Sequence, residues 1–130
     1  MSDVIPMLTY DDPNVAYDWL QSAFGFEPTE EPYRDDRGVI NHGELRLGGT
    51  VIAISGPYDV MRTASPRSVG GKNTAFLYVY VDDVDAHHAR ATAAGAEVIA
   101  APEDAFFGDR RYRVLDCEGR VWMFGTPIPS

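Results

Sequence analysis

Hydrophobic and polar positions recur in two blocks along the chain. The first opens on the β-rich run 4–10 (VIPMLTY) and closes on the acidic pair Asp11–Asp12; the second opens on 75–81 (AFLYVYV) and closes on Asp82–Asp83, 71 positions later. Each run predicts a strand. Behind the first acidic pair, Asp12 suits a helix N-cap and Pro13 the first helical position. Apolar residues then fall at Val15, Ala16, Trp19, Leu20, Ala23 and Phe24, the 3.6-residue period of an amphipathic helix, and Gly25 ends it. Behind the second pair, Val84, Ala91 and Ala94 mark an alanine-rich helix ending at Gly95. The steps Gly25-Phe26-Glu27 and Gly95-Ala96-Glu97 match at an offset of 70, so one residue has been lost between the copies.

Two more strand candidates follow in each half, at 27–34 and 39–47 and at 96–101 and 110–116, and the closing runs 49–54 and 119–124 again match at 70. Each half therefore reads strand, helix, strand, strand, strand. The expected fold is α+β: a single domain over 1–130, made of βαβββ modules at about 1–56 and 74–130 that form a curved mixed sheet around a cleft. The joining stretch 57–73 holds Pro57, Pro66, Gly70 and Gly71, with Arg62, Arg67 and Lys72 against Asp59. It reads either as a linker or as a basic flap over the cleft.

Composition narrows the partners. The chain has 130 residues, 45% hydrophobic and 24% charged, enough for one globular core. Twenty acidic against eleven basic residues give a formal charge of −9, which argues against nucleic acid and anionic membranes. The single cysteine, Cys117, excludes an internal disulfide and a multi-cysteine zinc site, and fits a reducing compartment. No secretory leader pattern and no long apolar run occur, so a cytoplasmic location is expected.

The stretches "VIPMLTYDDPNVAYDWLQSAFGFE", "LYVYVDDVDAHHARATAAGAEV" and "GDRRYRVLDCEGRVWMFGT" resemble the vicinal oxygen chelate superfamily, the group of glyoxalases, bleomycin-resistance proteins, fosfomycin-resistance enzymes and extradiol dioxygenases. The resemblance implies paired βαβββ modules and a homodimer. Metal enzymes of this group hold a divalent ion with His, Glu or Gln from the first and last strands of each module. Carried onto this chain, those positions fall at Ile5, Ala53, Phe76 and Met123. None offers more than a thioether, a poor ligand for zinc, nickel, manganese or iron. No metal and no cofactor is therefore expected.

Strand alternation puts Ile5, Met7 and Thr9 on one face, and likewise Phe76, Tyr78 and Tyr80, Val51, Ala53 and Ser55, and Val121 and Met123. These are the expected cleft faces, apolar and aromatic as small-molecule pockets are. Met7, Tyr78, Tyr80 and Met123 are the expected ligand contacts. Arg113, within "GDRRYR", sits where related resistance enzymes place a substrate contact. On strand 39–47 two orientations remain open. Burying Leu45 and Leu47 sends His42 and Glu44, the candidate acid–base pair, to the cleft; the repeat register sends Gly43 there instead. His87 and His88, adjacent on the second helix, read as surface or boundary residues. The leading expectation is a metal-free binding protein for a small aromatic or cationic molecule, resembling drug-sequestering members of the group. Its rivals are a lyase, isomerase or dioxygenase-type enzyme with a displaced site, and a regulatory module with a filled cleft.

Overall fold

The computed structural model describes residues 2–129. The first module holds β1 (Met7–Thr9), α1 (Pro13–Phe24), β2 (Glu27–Pro28), β3 (Tyr33–Arg34), β4 (Ile40–Leu47) and β5 (Thr50–Ser55). The second holds β6 (Leu77–Tyr80), α2 (Val84–Ala93), β7 (Glu97–Asp104), β8 (Asp109–Leu115) and β9 (Val121–Pro127). The expected strand 27–34 is split into β2 and β3, both lying on β4, with a register shift between Tyr33 and Arg34. The sheets run β1-β5-β4-β2 and β6-β9-β8-β7, and in each the first strand lies parallel to the last. This is the paired βαβββ architecture expected from the repeat. Two single 3-10 turns, Asp59–Met61 and Pro66–Val69, occupy the stretch between.

Both helices start as the sequence predicts. Asp12 accepts the Val15 N–H at 3.2 Å and Asp83 the Ala86 N–H at 3.0 Å, each meeting one of the amides a helix start leaves unpaired. Gly25 closes α1 at φ 83°, a left-handed cap. Arg90 of α2 donates to the Gln21 and Ser22 carbonyls at the end of α1, a cation against a helix C-terminus.

The helices pack on one another and, with the helix-facing strand residues, build one core. Leu8, Leu45, Ile52 and Ile54 face it from the first sheet, and Val79, Tyr112, Val114, Trp122 and Phe124 from the second. Trp122 and Phe124 lie parallel, with Phe24 of α1 edge-on to both at 5.3 and 4.9 Å. His87 is buried here, not at the surface. Its Nδ1 lies 2.6 Å from the Tyr112 hydroxyl and its Nε2 2.9 Å from the Phe24 carbonyl. The spacing Val84, His87, Ala91 places it on the buried stripe of α2.

A polar clasp closes the module junction. Asp116, at the end of β8, accepts the Tyr10 hydroxyl at 2.6 Å, the Trp122 indole N–H at 3.0 Å, and the Glu118 and Arg120 amides. Glu118 accepts the Asp11 and Asp12 amides and pairs with Arg67 at 3.2 Å. The turn between the last two strands of the second module therefore holds the first module in place.

Candidate functional site: the open faces of the two sheets

With the helices on one side, the other face of each sheet is open. On the second sheet, Tyr78, Met123 and Arg113 form one cross-strand row. On the first, Met7, Ala53 and Glu44 form the corresponding row. The structure thus brings Tyr78, Tyr80, Met123 and Arg113 together on one face. Met7 lies on the other sheet, with His42 and Glu44. Met7 and Tyr80 are 65% and 59% exposed.

The orientation of β4 is settled by its neighbours. A Cβ on Gly43 would lie 3.2 Å from the Tyr17 ring, so Gly43 faces α1 and makes room for that tyrosine. His42 and Glu44 therefore stand on the open face. Arg113 stands on the open face as well, because the two modules differ by one residue in the turn before their last strand. Leu47 pairs with Thr50 across two residues, whereas Asp116 bonds to Arg120 across three. Arg113 consequently matches Glu44, not Gly43.

The second sheet's face is organised by a residue that the sequence pattern does not single out. Asp109, 5% exposed at the start of β8, accepts the hydroxyls of Tyr78 (2.6 Å) and Tyr80 (2.8 Å), both on Oδ2. Tyr78 reaches it from β6 by crossing Gly125 of β9, where a Cβ would fall 2.7 Å from its hydroxyl. Burial, and then the Asp109 carboxylate, push the Tyr78 phenol well above its ordinary range; the hydrogen bond to Asp109 also raises Tyr80. Both phenols stay protonated and fixed, their rings 5.3 Å apart. The Arg111 guanidinium lies 5.3 Å over the Phe107 ring, and its buried Nε has no hydrogen bond among the described residues. No local signal in the sequence points to Asp109, which meets the two tyrosines only through the pairing of β6 and β8 on either side of β9.

The four positions at which the resemblance places the family's metal carry no set of donors that fits one. Ile5 and Phe76 precede their strands, Ala53 and Met123 are buried, and the side chains directly opposite them are Met7 and Tyr78. A protonated phenol, two thioethers and alkyl groups make no site for a divalent ion. One other cluster is of mixed type: Glu30, His42 and Glu44 hold ligand atoms within 4.8 Å of one another, a set that could take a divalent cation. Thr29 already donates to Glu44 at 2.7 Å. Cys117 is pushed up to about 12 by burial and by Asp116 and Glu118, so it remains a thiol and offers no nucleophile.

A pair of βαβββ sheets, each with a covered face and an open one, defines the fold class to which this chain belongs. The chain belongs to the Glyoxalase/Bleomycin resistance protein/Dioxygenase superfamily, whose model matches residues 5–124. It is 35% identical to an uncharacterized protein of Mycobacterium bovis over 127 residues, 95% of this chain and 82% of that one. It is similar to the crystal structure of TioX from Micromonospora sp. ML1, with TM-score 0.74 and 33% identity over 99% of this chain and 98% of that one. It shares its fold with TnmS3, an antibiotic binding protein from Streptomyces sp. CB03234, at TM-score 0.72 and 20% identity over 98% and 97% of the two chains. No helix among the described residues is long and apolar enough to cross a membrane.

Proposed function

We propose that this chain binds a small aromatic or cationic organic molecule on its open sheet faces and sequesters it without a metal ion. The observation that carries this reading is the Tyr78–Asp109–Tyr80 face beside Met123. Its phenol rings are held by a buried carboxylate and are presented for stacking, with no hydrogen bonds left to make to Asp109. An aromatic guest gains stacking on Tyr80 and contact with the thioethers of Met7 and Met123. A cationic substituent is drawn to the Glu30–His42–Glu44 side, in keeping with the charge of −9. The antibiotic binding named for TnmS3 agrees with this use of the fold.

The working unit in this reading is a homodimer in the cytoplasm. Two open faces bearing Met7, Phe76, Tyr80 and Ile99 need a cover. Glu44 on one sheet and Arg113 on the other make the first face of one copy complementary to the second face of another.

The test is calorimetric titration of metal-stripped protein with planar aromatic and cationic antibiotics, together with sedimentation to read the assembly. Saturable binding without metal, weakened at least tenfold by Tyr78→Leu, is the expected result. If every compound that binds requires a stoichiometric divalent ion, the reading fails.

A further inference from the structure

The stretch 57–73 folds back on β1 and, with the residue before β9, borders a half-open cavity of about 390 Å³. Its walls include Met7 and Thr9 of β1, Arg62, Lys72 and Asn73 of the stretch, and Arg120. Three of the eleven basic residues line it, and none of the acidic residues does, in a chain whose acids outnumber its bases by nine. Such a local reversal of charge marks a place for an anion.

The three cations are placed differently. Arg120 is 8% exposed and fixed: its Nη2 donates to the Thr9 carbonyl at 2.9 Å, and its guanidinium lies 4.6 Å over the Tyr10 ring. Its Nη1 lies 3.8 Å from Asp116 and has no hydrogen bond among the described residues. Arg62 and Lys72 are exposed, and neither side chain is in an ion pair or hydrogen bond among the described residues. Arg67, in the same stretch, does not line the cavity and is committed to Asp11 and Glu118. Arg62 closes the 3-10 turn Asp59–Met61 at φ 56°, the one positive φ among the described non-glycine residues.

We propose that this cavity is a binding site for a small molecule bearing an oxyanion, a phosphate or carboxylate group. Arg62 and Lys72 make the direct contacts, and Arg120 supplies a fixed positive wall. None of Tyr78, Asp109 and Tyr80 lines this cavity; it shares Met7 with the contacts proposed for an aromatic guest, but its three cations take no part in that reading. It also gives the basic stretch a role beyond joining the modules.

The experiment titrates inorganic phosphate and, separately, citrate into the full chain, with ionic strength held constant by chloride, and reads heat and thermal midpoint. One saturable site per chain is expected, and the preferred probe tells phosphate from carboxylate. The double variant Arg62→Gln, Lys72→Gln is expected to weaken binding at least tenfold with an unchanged midpoint in chloride, since both side chains are exposed and unpaired. Arg113→Gln on the open face should leave it intact. A response no larger than that to chloride, or one unchanged in the double variant, means an adventitious ion only and overturns the proposal. Tyr78→Leu separates the two sites: it should weaken aromatic binding at least tenfold and spare phosphate.

Discussion

Met7, Ala53 and Glu44 lie side by side on the first sheet; Tyr78, Met123 and Arg113 occupy the matching places on the second. One row is aliphatic and acidic, the other aromatic and basic. Behind the sheets the contrast takes another form. In the first module the strand contributes Gly43 and the helix Tyr17; in the second the strand contributes Tyr112 and the helix His87 and His88. The volume between helix and sheet is filled in both, from opposite sides. The buried face thus constrains the sum of two neighbouring side chains, whereas the open face has been free to take opposite charges.

The sharpest way to break this comparison lies in the turns before β5 and β9. Asp116 takes four hydrogen bonds at the junction, so Asp116→Ala strands two side-chain donors and two amides beside the Arg120 charge. Its expected cost is about 3–5 kcal/mol. The first module's turn, Gly48–Gly49, makes no hydrogen bond to the other module among the described residues. Gly48→Ala there, at φ 58°, should cost about 1–2 kcal/mol, from backbone strain alone. Urea unfolding of the two variants reads the difference. Equal losses would mean that the clasp is not what joins the modules.

That one-residue difference in turn length also marks where the sequence ceased to be legible. The existence and order of strands and helices follow from local pattern, as do Asp12, Pro13 and Gly25 at the ends of α1. The face presented by β4 depends on how many residues separate it from β5. A repeat offset of 70 carried through that turn assigns Gly43 to the wrong side. Burial of Leu45 gave the right answer because it rests on the strand's own alternation. Of the candidate site, the tyrosines, Met123 and Arg113 were legible as one face. Asp109 was not, because its role exists only where β6 and β8 are brought to either side of Gly125. His87 was missed because a polar residue was read as solvent-facing, although the Val84–Ala91 spacing put it on the buried stripe.

The next two tests sharpen the contrast behind the sheets. Gly43→Ala places a methyl 3.2 Å from the Tyr17 ring and 3.3 Å from Ile40, and overpacking of this kind costs about 1–3 kcal/mol. In the second module the sensitive group titrates. Burial pushes His87 below its ordinary value of 6.5, so the unfolded chain takes up a proton more readily than the folded one. Stability is therefore unaffected by this group well above pH 6.5 and falls as pH drops below it, until the folded value is reached. Urea midpoints at pH 8 and pH 5.5 should differ more in the wild type than in His87→Gln, which cannot titrate. An identical pH dependence would show that His87 is not held neutral in the core.

The smallest effect concerns Tyr78 and Gly125. Tyr78→Phe removes one of the two phenols on Asp109, and Tyr80 remains, so the cost to stability is about 1 kcal/mol. Gly125→Ala adds no polar change, but its methyl would occupy the space within 2.7 Å of the Tyr78 hydroxyl. The tyrosine is the more movable partner and must swing off Asp109. Both substitutions then break the same bond by different means, so their effects should not add. The double variant should be about as stable as the weaker single one, where independent sites would add to within about 0.5 kcal/mol. The matching position on the first sheet is Ser55, whose side chain makes no hydrogen bond among the described residues, and Ser55→Ala should change stability by less than about 0.5 kcal/mol. Full additivity of Tyr78→Phe and Gly125→Ala would mean that the glycine serves the backbone and not the tyrosine's path to the carboxylate.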